Sequence, residues 1–113
     1  MHIESPTLST AAVHELLAHR RRHAIVRILE DVYDPLPCSD LVELIVESTC
    51  ESPTADDRYG VLVELHHNHL PRLDDAAVID YDPHHRTIRR GENYDVLVRA
   101  LEDRPKTVRA YAD

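Results

Sequence analysis

A chain of 113 residues is long enough for one domain with a modest core, and 42% hydrophobic residues is not a disordered composition. Two glycines exclude a glycine-rich phosphate loop, and two cysteines are too few for a disulfide framework. No apolar run has membrane-spanning length and the first ten residues lack a signal-peptide pattern, so we expect a cytoplasmic protein with no membrane partner.

The net charge of −8 argues at first against a nucleic-acid partner, because DNA-binding domains usually carry a basic surface. However, only Lys106 among the 13 basic residues is a lysine. Abundant carboxylates with arginine in place of lysine suit a protein in molar salt, where screening removes self-repulsion. We therefore favour a halophilic protein in which local basic clusters indicate the partner. The alternative is an ordinary acidic domain.

The first third of the chain predicts an arm and two helices. Residues 1–9 show no consistent period and are predicted to form a flexible arm, after which Ser9 or Thr10 can cap a helix. Apolar spacings of three and four mark the two helices: Val13, Leu16 and Leu17, then Ile25, Ile28, Leu29 and Val32. The second helix begins with three arginines, Arg20, Arg21 and Arg22. These are predicted either to contact DNA phosphates or to pair with Glu15, Glu30 or Asp31.

The middle of the chain predicts a third helix and the start of a fourth. Residues 34–37 contain two prolines and should break the second helix. Ser39 or Asp40 is expected to cap a helix over residues 41–48, followed by a loop over residues 49–55. Thr54 and Asp57 then form a capping-box variant that begins the next helix.

The helix that starts near residue 59 is the predicted DNA-reading element. Its inward face is predicted from spacings of three and four to hold Tyr59, Leu62, Val63, His66, Leu70 and Leu73. The opposite face then carries Val61, Glu64, His67, Asn68, Arg72 and Asp75, and Pro71 should bend the helix. Asn68 can pair with adenine, Arg72 with guanine, and His67 with a phosphate or base edge. Glu64 would repel phosphate unless it accepts from cytosine or pairs with Arg72. The alternative is that Asn68 and Arg72 only solvate this face.

A short β-hairpin should follow this helix. Residues 78–81 change period to that of a strand, residues 82–85 supply turn chemistry, and residues 87–89 extend again. Its basic residues are predicted to contact the DNA backbone or minor groove: His84, His85, Arg86, Arg89 and Arg90. Alternatively, one arginine pairs with Asp80 or Asp82. A long helix followed by a basic-tipped hairpin predicts a mainly α fold with a small hairpin, the winged helix-turn-helix, over residues 10–91.

A final helix is predicted over residues 92–104, with a tail over residues 105–113. Its apolar side either closes the core or forms the dimer seam of a two-fold regulator through Tyr94, Leu97 and Leu101. We expect a homodimer.

Two stretches resemble a known family. HLPRLDDAAVIDYD at residues 69–82 resembles the HL-x-x-L-x-x-AG-[LV]-[VI] signature of ArsR-like winged-helix regulators, and more closely the HLPKL…AG-V-x-YD segment of small haloarchaeal winged-helix proteins. LLAHRRRHAIV at residues 16–26 is similar to the LL-x-x-xRRR-x-x-[IV]L opening of the same family. Ala77 stands where that family usually has glycine. The resemblance spans about residues 13–88 and implies an archaeal DNA-binding protein.

Other chemistry is less well supported. His66 and His69 lie one helical turn apart and would suit a shared divalent ion, but Cys38 and Cys50 do not supply paired ligands. We therefore expect no metal and no cofactor. No nucleophile motif is visible, and adjacent carboxylates on a helix do not converge, so we expect no enzyme.

The sequence thus predicts a sequence-specific, double-stranded DNA-binding transcriptional regulator adapted to high salt. The alternative is a winged-helix protein–protein interaction module that no longer binds DNA, which the acidic residues Asp56, Asp57 and Glu64 favour. A continuous positive band through residues 20–22, Arg72 and residues 86–90 would support DNA, whereas interruption by carboxylates would support a protein partner.

Overall fold

The computed structural model describes residues 6–103, so most of the predicted arm and the tail lie outside the described residues. The fold is mainly helical with a small antiparallel sheet. In chain order the elements are α1 (Thr10–Ala18), α2 (Arg20–Leu29), β1 (Leu36–Pro37), α3 (Cys38–Thr49), α4 (Ala55–Glu64), a π-helical turn (Leu65–His69), α5 (Leu70–Asp75), β2 (Ile79–Asp82), β3 (Thr87–Arg90) and α6 (Tyr94–Asp103). Among these residues, no helix is long and apolar enough to cross a bilayer.

The sheet has three strands in the order β1-β3-β2. The predicted hairpin is confirmed, with Tyr81 opposite Ile88 in the pairing of β2 with β3. On its other side Ile88 lies opposite Leu36 of β1, a strand that the sequence did not predict. β1 has only two residues and one is Pro37, which is tolerated there because β1 is an edge strand.

Side-chain caps fix the starts of α1 and α4 as the sequence predicts. The Ser9 hydroxyl accepts from the Ala12 amide at 3.0 Å. At the start of α4, Thr54 and Asp57 each accept from the other's backbone amide, at 3.1 and 2.9 Å, so the capping box is complete. These bonds lower the pKa of Asp57. A loop of five residues, 50–54, therefore separates α3 from α4.

The long helix does not run straight, because a π-helical turn joins α4 to α5. The Leu70 amide donates to the Leu65 carbonyl, five residues earlier, instead of four. Pro71 has no amide and its ring would clash with the carbonyl of His67, and an extra residue in the turn relieves both problems.

This extra residue makes part of the predicted inward face wrong. A regular helix drawn back from Leu70 would place residues 66, 63 and 59 inward, but the π turn shifts the buried positions to Leu65 and Val61. Tyr59 is instead 68% exposed, and Val61, which was expected on the outer face, is buried. Leu70 and Leu73, beyond the π turn, are buried as predicted.

The last helix packs on the rest of the domain. All three residues predicted as a dimer seam, Tyr94, Leu97 and Leu101, are buried in the protein's own core against α1 and α2. The Tyr94 hydroxyl donates to the Val26 carbonyl at 2.6 Å, and burial raises the pKa of this phenol. The dimerisation role predicted for these residues is therefore wrong, because the apolar side of α6 closes the core instead.

The end of α5 uses a left-handed residue. Ala77 has φ 59°, and the amides of Ala77 and Val78 donate to the carbonyls of Asp74 and Leu73 at 2.9 Å each. This is the Schellman arrangement, which normally has glycine at the position of Ala77. Gly91 lies against this turn, where a Cβ would come within 2.3 Å of the Ala77 carbonyl oxygen. The arrangement directs the chain from α5 into the hairpin.

Candidate functional site

The outer side of the bent helix carries three of the predicted contact residues. His67 and Arg72 are exposed and Asn68 is partly exposed. The Arg72 Nε donates to the Asn68 Oδ1 at 2.7 Å, as neighbouring side chains four residues apart can. These three residues are called the helix surface below.

The hairpin is attached to the bent helix by polar contacts. The His66 Nδ1 and the Tyr81 hydroxyl form a hydrogen bond, and the Asp74 Oδ1 accepts from the Tyr81 amide at 3.0 Å. Burial lowers the pKa of His66, and the charges of Arg86 and His67 lower it further. Burial also raises the pKa of Tyr81. At neutral pH the phenol therefore keeps its proton, so the bond between His66 and Tyr81 joins two neutral groups, whereas the second contact is made by the Asp74 carboxylate.

The turn of the hairpin lies beside the same helix. Arg86 has φ 56°, and its carbonyl accepts from the Cys38 amide at the start of α3 at 2.9 Å. Its charge contributes to lowering the pKa of His66. The Arg86 side chain is exposed and forms no ion pair with a residue in 6–103. It therefore presents an unpaired positive charge to solvent at the hairpin turn.

Asp82 organises the turn itself. Its Oδ1 accepts from the amides of His84 and His85 at 3.0 and 3.1 Å, and its Oδ2 is 2.7 Å from the His85 Nδ1. These bonds lower the pKa of Asp82, the largest cause being the His85 amide. His85 is thus committed to the turn, whereas His84 is exposed.

The two arginines behind the tip point away from the helix surface. Because Ile88 packs into the core, Arg89 lies on the open face of the sheet, where Asp80 is its cross-strand neighbour. The Arg90 side chain caps the C-terminal end of α2. Its Nη1 donates to the Leu29 carbonyl at 2.8 Å, and its Nε is 3.4 Å from the Asp34 carboxylate. The predicted contact set of the hairpin is therefore divided between the open face of the sheet, which carries Arg89, the end of α2, which holds Arg90, and the turn, where Arg86 is exposed.

Arg22 is not available to a phosphate backbone. It is 7% exposed, and its Nε and Nη2 donate to the carbonyls of Leu16 and Glu15 at 2.9 and 3.1 Å. These carbonyls lie in the last turn of α1 and lack helical partners. The prediction that Arg22 contacts phosphate is wrong, because its guanidinium completes the end of α1.

The other two arginines of the run differ from each other. Arg21 is partly buried, and its Nη2 lies 3.7 Å from the Glu64 carboxylate, so Glu64 pairs with Arg21 rather than with Arg72. The Arg21 Nη1 is buried without a hydrogen-bond partner among the described residues. Arg20 is exposed. Of the three, Arg20 is the residue left facing solvent for a phosphate.

His69 is a buried polar residue that links the π turn to α1 and α2. It is 0% exposed, its Nδ1 is 3.3 Å from the Arg22 Nη1, and its ring centroid is 4.4 Å from that of His19. Burial, followed by the charges of His19 and Arg22, lowers the pKa of His69 to about 4. Since Arg22 only donates, the neutral ring accepts at Nδ1 and carries its proton at Nε2, which has no partner among residues 6–103.

The histidine spacing does not produce a shared metal position. His66 faces Tyr81 on the hairpin, whereas His69 faces Arg22 and His19. Within residues 6–103, no three His, Cys, Asp or Glu side chains converge as metal ligands.

Charge is unevenly distributed along the bent helix. Its first half carries the exposed Asp56 and Glu64 and the exposed ring of Tyr59, which the sequence placed inward. Its second half carries the helix surface, with Arg86 nearby. The predicted positive band is consequently interrupted by Glu64, which lies between the arginines of α2 and Arg72.

A family model described as a domain of unknown function, DUF7344, matches residues 14–89, which is most of the chain. No curated protein and no solved structure gives a significant match.

Proposed function

We propose that this chain, which belongs to the DUF7344 family, is a sequence-specific, double-stranded DNA-binding transcriptional regulator of winged-helix type that works in high salt. The element order supports the fold assignment, because α2, β1, α3, the bent helix and the β2–β3 hairpin follow the order of a winged helix-turn-helix. In this assignment the bent helix is the recognition helix and the hairpin is the wing.

One observation carries the proposal. The exposed Arg72 and the exposed Arg86 have no carboxylate partner within residues 6–103; Arg72 lies on the bent helix, as does the exposed His67, and Arg86 lies in the hairpin turn. The protein has a net charge of −8, and four of its five described ion pairs join an arginine to a carboxylate. Exposed arginines that remain unpaired among so many carboxylates indicate an anionic partner.

The contacts follow from where these groups lie. Arg72 and His67 would face base edges in the major groove, since they project from the outer side of the helix. Arg86 would contact the adjacent backbone or minor groove, and Arg20 a phosphate on the α2 side. Phosphate contacts of this kind set the position of the protein, while the helix surface supplies sequence selection.

High salt should change the energetics of binding. Each chain directs three exposed arginines, Arg20, Arg72 and Arg86, at the DNA, so the slope of log K against log [KCl] should be no steeper than about −3 for one chain and about −6 for a dimer. Cations held between protein carboxylates and DNA phosphates would make the slope shallower or reverse it. A steep loss of affinity with KCl would contradict this mechanism.

The test is fluorescence-anisotropy binding of the full chain to duplex DNA from the source genome, across KCl concentrations up to the molar range. We expect Arg72→Ala combined with Arg86→Ala to bind roughly 10- to 100-fold more weakly than wild type. Arg99→Ala on α6 removes one exposed charge away from the helix surface and should bind like wild type. Absence of wild-type binding at every KCl concentration, or a double variant that binds like wild type, would overturn the proposal.

A two-fold dimer on a palindromic site belongs to the same proposal. The apolar side of α6 is occupied by the core, so the dimer must form through other residues. Light scattering of the chain with and without duplex DNA tests it, and a monomer in both conditions would remove the dimer from the proposal.

A second candidate function is a protein-interaction module on the same fold. It is favoured by the first half of the bent helix, where Tyr59 is 68% exposed next to the acidic Asp56 and Glu64. The interruption of the predicted positive band by Glu64, which pairs with Arg21, also favours it. Exposed tyrosines are common anchors of protein interfaces. Under this function, Tyr59→Ser would abolish co-purification of a specific partner from cells of the source organism and wild-type protein would not bind duplex DNA. Under DNA binding the same variant would keep its DNA affinity.

A further inference from the structure

The hydrogen bond between Arg72 and Asn68 joins two residues that were predicted to act separately. The Arg72 Nε donates to the Asn68 Oδ1 at 2.7 Å, which also fixes which end of the amide carries oxygen. A guanidinium has five N–H donors, and this bond uses the one on Nε. The four donors on the two terminal nitrogens remain, and they lie in one plane.

Resting on the proposed function, we infer that Arg72 is the specificity-determining residue, that it reads guanine through its two terminal nitrogens, and that Asn68 is its positioning residue. Guanine presents two acceptors, N7 and O6, side by side in the major groove, and no other base does. A group with donors only matches that edge and mismatches the donor and acceptor of adenine. Asn68, in turn, is expected to orient Arg72 instead of reading a base of its own.

Two neighbouring residues, Pro71 and Arg22, favour this arrangement of Asn68 and Arg72. Asn68 lies in the π turn and Arg72 in α5, so the position of one relative to the other depends on the extra residue that Pro71 requires. The charge of Arg72 also lowers the pKa of the buried Arg22, so the two guanidinium groups are near enough to repel. This repulsion favours an Arg72 that points outwards, and the bond to Asn68 restricts its rotamers there.

The experiment is selection of the full chain on a random-sequence duplex library, followed by competition between duplexes that differ at one selected base. Wild type should select a site with an invariant guanine, and replacing it by adenine should weaken binding roughly 10- to 100-fold. Arg72→Ala should lose this discrimination. Asn68→Asp keeps an acceptor for Arg72 and should keep the preference for guanine, whereas Asn68→Ala should reduce it roughly 2- to 10-fold.

Preferences are compared within each variant, so a uniform change in affinity from the added charge of Asn68→Asp cancels. Circular dichroism confirms the fold of each variant, and Arg99→Ala serves as the charge-matched control. If wild type also prefers adenine at one position, and Asn68→Asp loses that preference but keeps the preference for guanine, then Asn68 reads a base and the inference is wrong. If Arg72→Ala selects the same site as wild type, the inference is wrong and the proposed function stands. If wild type retains no duplex, the proposed function itself fails.

Discussion

Arg22 and Arg90 lie at the ends of helices, whereas Arg72 and Arg86 lie on the surface beside the bent helix. The first two donate to backbone carbonyls of α1 and α2, which have no helical partners. The second two form no ion pair within residues 6–103. The same side chain therefore serves stability in one region and is available to a partner in the other, and the local supply of acceptors decides which.

The comparison also explains why runs of arginine in the sequence did not become clusters in space. Successive residues of a helix point about 100° apart, and successive residues of a strand point to opposite faces. Arg20, Arg21 and Arg22 accordingly face solvent, Glu64 and the core. Arg89 and Arg90 likewise separate to the open face of the sheet and to the end of α2.

The largest effect is expected for Arg22. Arg22→Ala removes the donor from the buried Leu16 carbonyl, the partly buried Glu15 carbonyl and the buried Nδ1 of His69, so the free energy of unfolding should fall by about 3–4 kcal/mol. Urea unfolding followed by circular dichroism measures this change. Arg22→Lys keeps the charge but not the fork of donors, and it should lose less.

Arg99→Ala is the matched control, because it removes an exposed arginine and should change stability by less than about 0.5 kcal/mol. If Arg22→Ala does not fold, the lysine variant still tests the role, since it should remain folded and be less stable than wild type. Equal stability of Arg22→Lys, Arg99→Ala and wild type would show that the division between the two groups of arginines is wrong.

The second effect concerns His69, the acceptor for Arg22. Its pKa in the folded protein is about 4, below the ordinary value of 6.5, so the unfolded chain binds more protons between these pH values. Stability from this group is therefore complete above pH 6.5 and is lost as the pH falls towards 4. The loss should be about 2–3 kcal/mol over that range.

Urea unfolding at several pH values between 4 and 7 measures this loss, and His69→Gln provides the comparison. The glutamine can still accept from Arg22 but does not titrate, so its stability should depend less on pH by about the same 2–3 kcal/mol. Parallel pH profiles for the two proteins would show that folding does not lower the pKa of His69. His69 would then not be buried as a neutral acceptor for Arg22.

Some features of the fold could be predicted from the sequence because their causes are local. The capping box of Thr54 and Asp57 and the turn chemistry of the hairpin depend on residues close together in the chain, and both are present. Spacings of three and four likewise indicated the buried side of α2, where Ile25 and Leu29 are 0% exposed.

Other features depend on contacts that sequence spacing does not contain. Pro71 indicated a bend, but a bend alone does not say that one extra residue enters the turn, so Tyr59 was placed inward and Val61 outward. His69 was considered as a metal ligand because a polar residue gives no sign of being buried. Arg22 could not be assigned because its carbonyl partners appear only when α1 ends at Ala18 and His19 starts α2. The sequence thus predicted which surface forms the candidate site, but not which of the basic residues belong to it.

The smallest effect is expected for Arg90, which tests whether a partly exposed arginine belongs with Arg22. It donates to the Leu29 carbonyl at 2.8 Å and lies 3.4 Å from the Asp34 carboxylate, but a third of its side chain is exposed. Solvent screening therefore reduces the ion pair, and Arg90→Ala should lower the free energy of unfolding by about 1 kcal/mol. DNA affinity of the folded variant should match wild type, because Arg90 is directed at α2. A variant of wild-type stability that binds DNA more weakly would instead place Arg90 with Arg72 and Arg86.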